Sequence, residues 1–340
     1  MIDKLNRSHL TRTLRLRLLL LNVFFGLAVG VFAQMPILQN LSTVDGPPEK
    51  LLAVRSAVIH ASDFTDDELT EIQKWFQQTG IDAIAYFDYD HIFAGPDFTK
   101  LFSDYCATRI IPFLIFLEKN RQGYEFTFAK SNGKKDLIDR QEAVWKVSNA
   151  DLKLLLRTIY QTALSSQKKL NFLINDVPER DVVLRNFAGR RNESFTNEVR
   201  TNKIAIPRWG NTADDALLES YLRSTLSVKF ELVDPTIEEK DLRQAGFVTV
   251  LRYVRTHGSI AKELLGYDLS QVSKAINSFV WVNGEQQIKT LPAEEIIYKF
   301  YFKSLEYNQV YLGIQWDADV QWQDALRNHI EAMKKTLRLN

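Results

Sequence analysis

The sequence predicts an α/β protein built from two tandem βαβαββαβ-like units with mixed sheets, followed by a C-terminal helix. Short apolar runs of strand length alternate with stretches whose apolar residues recur every three to four positions. The same order of elements is met twice along the chain. Between the two copies, residues 186–202 are rich in Asn, Arg, Thr and Glu and read as a linker.

In the first unit (51–185), Ser56 to Ala61 is an apolar strand. Asp66, Asp67 and Glu68 open a helix whose buried stripe is Leu69, Ile72, Trp75 and Phe76, and Gly80 stops it. Asp82 to Tyr89 is a second strand, and Phe98 to Thr108 a second helix. Ile110 to Leu117 is apolar on both faces and therefore central. Tyr124 to Ala129 is its hairpin partner across the turn Asn120 to Gly123. Asp151 to Ser165 carries Leu152, Leu155, Leu156, Ile159 and Ala163 on one helical stripe, and Asn171 to Ile174 is a last strand.

The second unit (203–320) repeats the order. Lys203 to Trp209 is a strand, Asp214 and Asp215 open a helix through Leu222, and Lys229 to Val233 is a strand. Ile237 to Gln244 is helical, and Phe247 to Arg255 is a strand. Phe279 to Val282 and Gln286 to Thr290 form a hairpin around Asn283-Gly284. Ala293 to Leu305 reads as helix and Val310 to Ile314 as the closing strand. The C-terminal helix, Gln321 to Leu337, docks through Trp322, Leu326, Ile330, Met333 and Leu337 as an extra element.

Ahead of both units stands a leader. Lys4, Arg7, Arg12, Arg15 and Arg17 precede an uncharged run from Leu18 to Phe32, and Val31 and Ala33 are the small residues of a cleavage site before Gln34. This run is shorter than the roughly 20 apolar residues of a bilayer span, so the reading is a removable signal peptide (1–33) and an exported chain, periplasmic or extracellular. Residues 34–50, with Pro47 and Pro48, form a loose lead-in. The full chain has 43 basic and 42 acidic residues; five basic residues and one acidic fall in the leader, leaving a slightly acidic remainder with no footprint for nucleic acid and no further span. Cys106, the single cysteine, excludes an internal disulfide and reads as a buried small hydrophobe.

The order of elements opening with Ser56 to Ala61 and Lys203 to Trp209 after a leader resembles the α/β domains of the TolB amino-terminal and curli-assembly type found in bacterial envelopes. That resemblance implies non-catalytic contact with another envelope protein.

If the first unit's strands are parallel, their carboxyl ends gather His60, Asp88, Asp90, His91, Asn175 and Asp176 at the edge where open α/β sheets bind ligands. Two histidines among carboxylates could hold a metal that activates water, yet the spacing matches no metal signature, and an acid just past a strand commonly caps the next turn. Asp234 and Asp317 are the second unit's counterparts of Asp88 and Asp176. Arg252 shares a strand face with Val248, Val250 and Val254; it reads as snorkelling, with partner or ligand binding as the alternative. His257 and His329 read as surface or satisfied residues. Phosphate loops and serine-esterase elbows are missing from the sequence, and no cofactor is expected. Three functions follow: first a non-catalytic envelope interaction or assembly module, then a two-lobed solute-binding protein, then a metal-assisted hydrolase using His60, Asp88, Asp90 and His91.

Overall fold

A computed structural model describes residues 35–180, 184, 190–269 and 274–339; the expected leader and its cleavage site lie outside them. The first unit runs β1 (Ser42–Val44), β2 (Arg55–His60), α1 (Asp66–Thr79), β3 (Asp82–Asp88), α2 (Tyr89–Ile92), α3 (Pro96–Arg109), β4 (Phe113–Asn120), β5 (Gly123–Lys130), β6 (Ala143–Asn149) and α4 (Leu152–Ser166). The second runs β7 (Arg191–Asn192), α5 (Glu198–Thr201), β8 (Ile204–Pro207), α6 (Thr212–Thr225), β9 (Phe230–Val233), α7 (Glu239–Gln244), β10 (Thr249–His257), α8 (Gly258–Leu264), β11 (Ala275–Val282), β12 (Glu285–Pro292), β13 (Ile296–Ser304), β14 (Val310–Tyr311) and α9 (Trp322–Leu337).

Local chemistry sets the main boundaries. Thr65 and Glu68 form a reciprocal capping box at the start of α1, and Gly80 ends it with φ 99°. Asp151 caps α4 through Leu154 N–H, and Asn211 caps α6 through Asp214 N–H.

Each unit forms one six-stranded mixed sheet. The orders are β1-β6-β5-β4-β2-β3 and β7-β14-β13-β10-β8-β9, and the sequence of parallel and antiparallel pairings is the same in both. The two sheets are thus one topology used twice, with the separate hairpin β11–β12 inserted into the second. Leaving aside α2, α5, α8 and the inserted hairpin, both units read β-β-α-β-α-β-β-β-α. The strand expected after the closing helix instead precedes it.

Several expectations change accordingly. The lead-in is part of the sheet: Ser42 to Val44 pairs parallel with Ala143 to Trp145, and Met35 and Leu38 are buried. Within the expected linker, Arg191–Asn192 pairs with β14. Asn171 to Ile174 is an irregular strap, not a strand. Ala293 to Leu305 is mostly β13; its residues are buried on both faces, so the alternation that marks a strand is missing from the letters. α9 is not an added element, because it covers its sheet with α6 as α4 covers the first with α1.

The first sheet lies between two apolar layers. One is built on α1 and α4, the other on α3 with Met35, Leu38 and Ile138. Cys106 is buried in the second layer, where burial pushes its thiol up to about 12. In the second unit α6 and α9 cover one face, and the first unit helps to cover the other. Ala94 and Phe98, from the α2–α3 segment, are fully buried among Val254, Ala261, Ile297 and Tyr301. The backbones touch at this seam: Arg255 N–H donates to the Ala94 carbonyl at 2.6 Å, and a Cβ on Gly95 would lie 2.7 Å from the Tyr253 carbonyl oxygen.

Candidate functional site

The parallel strands β2 and β3 end side by side, with His60 in register with Asp88. Beyond their carboxyl ends opens a cleft of about 410 Å³, lined in part by His60, Ser62, Asp88, His91, Arg180 and, from the second unit, Glu263. Four of the expected residues, His60, Asp88, Asp90 and His91, therefore share one edge. Asn175 and Asp176 do not join them. The strap holding these two runs along the outside of β3 near its start, where Asn175 N–H donates to Asp82 at 3.1 Å, and Asp176 is exposed. Sequence placed them wrongly because the strap was taken for a strand ending at the same edge.

Each gathered group has a partner. Asp88 is the N-cap of α2, its Oδ1 accepting from Asp90 N–H at 2.7 Å. The Ser62 hydroxyl lies 2.7 Å from Asp90 Oδ2 and 3.2 Å from Asp88 Oδ1. His91 stands 3.8 Å from Asp88 and 3.3 Å from Glu263. Burial alone raises the Asp88 carboxyl, but the neighbouring His91 imidazole and hydrogen bonds from Asp90 N–H and Ser62 outweigh it and hold Asp88 below its ordinary value. Burial likewise lowers the His91 imidazole, and Asp88 and Glu263 more than reverse this. His60 places Nδ1 3.0 Å from the Ala61 carbonyl and its ring edge-on to Phe64. Among the described residues no three His, Cys, Asp or Glu side chains form a group that could hold a metal ion.

The edge is also a seam. His257, at the end of β10, lies 3.5 Å from Asp90; that carboxylate's hydrogen bond lifts the imidazole to about 9, so His257 is charged at neutral pH. Thr256 donates to the Asp90 carbonyl at 3.0 Å. Further along, the Arg252 guanidinium sits 3.2 Å from Asp97 of the first unit and 3.2 Å from Glu239 of the second, at 11 % exposure. Arg252 shares its face with Val250 and Val254 as expected, but it does not snorkel. Its charge is neutralised across the seam, and Tyr301 donates to the same Asp97 at 3.2 Å. Lys135 and Glu238 add an ion pair between the units at 2.9 Å.

A second polar cluster escaped the sequence reading. Lys299 Nζ lies 2.7 Å from Asp317 and donates to the Leu312 carbonyl at 2.6 Å, while His329 Nδ1 lies 2.9 Å from the other oxygen of Asp317. All three are buried. Burial raises the Asp317 carboxyl, but Lys299 and His329 bring it below its ordinary value; burial pushes the His329 imidazole down. Its ring packs on Phe195 and Phe302, and its Nε2 has no hydrogen-bond partner. The cluster ties β13 to α9. A lysine inside a strand misread as helix gave no sequence signal for it.

Among the described residues no helix is long and apolar enough to cross a membrane. No protein-family model matches the chain, and comparison with curated proteins finds no match.

Proposed function

We propose that this chain is an exported, non-catalytic interaction module, a rigid two-unit body that presents the strap after α4 to another envelope protein. One observation carries the reading. Within eight residues of that strap, Leu170, Phe172, Leu173 and Val177 are 53 %, 78 %, 94 % and 81 % exposed, a density of bare apolar side chains that marks a contact surface. The strap is also held in place. Leu170 and Asn171 N–H donate to the Leu52 carbonyl, and the Asn171 side chain donates to the Val54 and Gly80 carbonyls. A pinned display loses little conformational entropy on binding. The groups that would perform chemistry serve caps and ion pairs instead, and the resemblance to envelope domains of the TolB and curli-assembly type points the same way.

The solute-binding alternative retains the cleft between the units, but the seam beside it is closed by Phe98, Arg252 and Asp97, so any solute would enter a fixed site. Affinity capture from the native envelope, with a photo-crosslinker at Leu173, tests the proposal. A defined protein crosslinked at Leu173, and lost with Phe172→Ser/Leu173→Ser at unchanged melting temperature, supports it. A retained small molecule that raises the melting temperature, with no protein at Leu173, overturns it in favour of solute binding.

A further inference from the structure

β3 and β9 occupy the same place, the outer edge of their respective sheets. The first edge is sheathed by the strap: Tyr86 N–H donates to the Glu179 carbonyl at 2.8 Å, and Glu179 N–H to the Ile84 carbonyl at 2.9 Å. The second edge is bare, since among the described residues no strand pairs with the outer side of β9. The Lys229 and Val233 carbonyls turn inward, each accepting at 3.0 Å from Ile204 and Arg208 N–H. Strand alternation therefore directs the amide and carbonyl groups of Phe230 and Leu232 outward. An open groove of about 610 Å³ lies along β9, lined by Val228 to Leu232, by Glu219 and Arg223 of α6, and by Lys203 and Arg208, which flank β8.

We infer that a second copy of this chain fills the groove, its β9 pairing antiparallel with this one about a two-fold axis at Phe230. The segment Val228-Lys229-Phe230-Glu231-Leu232 is self-complementary in that register. Lys229, which directly precedes β9, stands opposite the partner's Glu231 and Glu231 opposite the partner's Lys229, while Phe230 meets its own counterpart on the other face. An axis at Glu231 would oppose two carboxylates, and an axis at Leu232 would oppose Phe230 to Asp234. Charges on an exposed edge ordinarily repel another strand; here their alternation favours one register. Both Lys229 and Glu231 are exposed, and Glu231 already pairs with Lys203 of its own chain at 2.5 Å, so the partner's Lys229 joins that carboxylate at the surface and the core is not rearranged. The two sheets become one continuous sheet across the axis, an isologous contact that closes on itself. This inference does not depend on the strap or its partner.

Light scattering and sedimentation of the wild-type chain at micromolar concentration test it, together with the charge reversals Lys229→Glu and Glu231→Lys. The wild type is expected to be a dimer. Each reversal alone opposes like charges twice and weakens the dimer by about tenfold or more, whereas mixing the two variants restores a heterodimer. In the wild type alone, amide exchange at Phe230 and Leu232 slows as concentration rises. A wild-type monomer, a dimer indifferent to both reversals, a mixture that stays monomeric, or exchange at these amides independent of concentration would each overturn the inference.

Discussion

Replacing Phe98 by alanine should loosen the two units from each other by opening a hole in the apolar layer they share on one face of the second sheet. The ring is fully buried among residues of the second unit. An aromatic side chain hides roughly 150–250 Å², worth roughly 4–6 kcal/mol at about 25 cal/mol per Å²; alanine keeps a methyl, so the loss is about 3–5 kcal/mol. This is a large part of the roughly 5–15 kcal/mol that holds a typical domain folded. The first sheet and the α6–α9 face of the second have apolar layers that Phe98 does not enter, so the loss falls on the shared layer that couples the units. Denaturant unfolding followed by circular dichroism and tryptophan fluorescence should give coincident curves for the wild type and separated curves for Phe98→Ala. Gly95→Ala should act in the same direction, because its methyl would press on the Tyr253 carbonyl, which cannot move aside. If Phe98→Ala costs less than about 1 kcal/mol and the curves still coincide, the units are not coupled through this contact.

Two other perturbations probe the polar clusters. Lys299→Met leaves the Asp317 carboxylate buried without its cation and should cost about 3–5 kcal/mol in denaturant unfolding, while Lys299→Met combined with Asp317→Asn should cost less than the two single changes summed. For His257 the folded imidazole titrates near 9 against an ordinary 6.5. Its pairing with Asp90 therefore stabilises fully below about pH 6.5 and is lost as pH rises through about 9; Asp90→Asn should flatten this part of the melting-temperature profile, and an unchanged slope would contradict the pairing.

Much of the architecture was legible in the letters, because helix starts and stops have side-chain causes. Asp66 to Glu68 and Gly80 bracketed α1, and the stripe from Trp322 to Leu337 marked α9. The duplication was visible as order, although its members were partly mistaken. What failed was β13, the strap, and the strands β1, β6 and β7, which read as lead-in, unassigned chain and linker. Ile296 to Ser304 is covered on both faces, so its periodicity carries no strand signature. Asn171 to Ile174 has strand-like residues but spends its polar groups on Leu52, Val54 and Gly80, a choice made by tertiary neighbours. The site was half legible for the same reason. His60, Asp88, Asp90 and His91 follow from strand ends, whereas Glu263 and His257 arrive from distant sequence, and no local spacing announces them. Arg252 was placed on the correct face with the wrong fate, since one of the two acids that neutralise it, Asp97, belongs to the other unit.

The shared strand order has a consequence for how the polypeptide is made. In both sheets the first strand to be synthesised hydrogen-bonds to the last: Ser42 to Val44 waits for Ala143 to Trp145, and Arg191–Asn192 waits for Val310–Tyr311. A growing chain must hold each opening strand unpaired while about a hundred residues follow, and such distant pairings make folding slow. Any fragment that ends between these partners leaves an unsatisfied strand at its start, which makes truncated chains of this protein prone to associate.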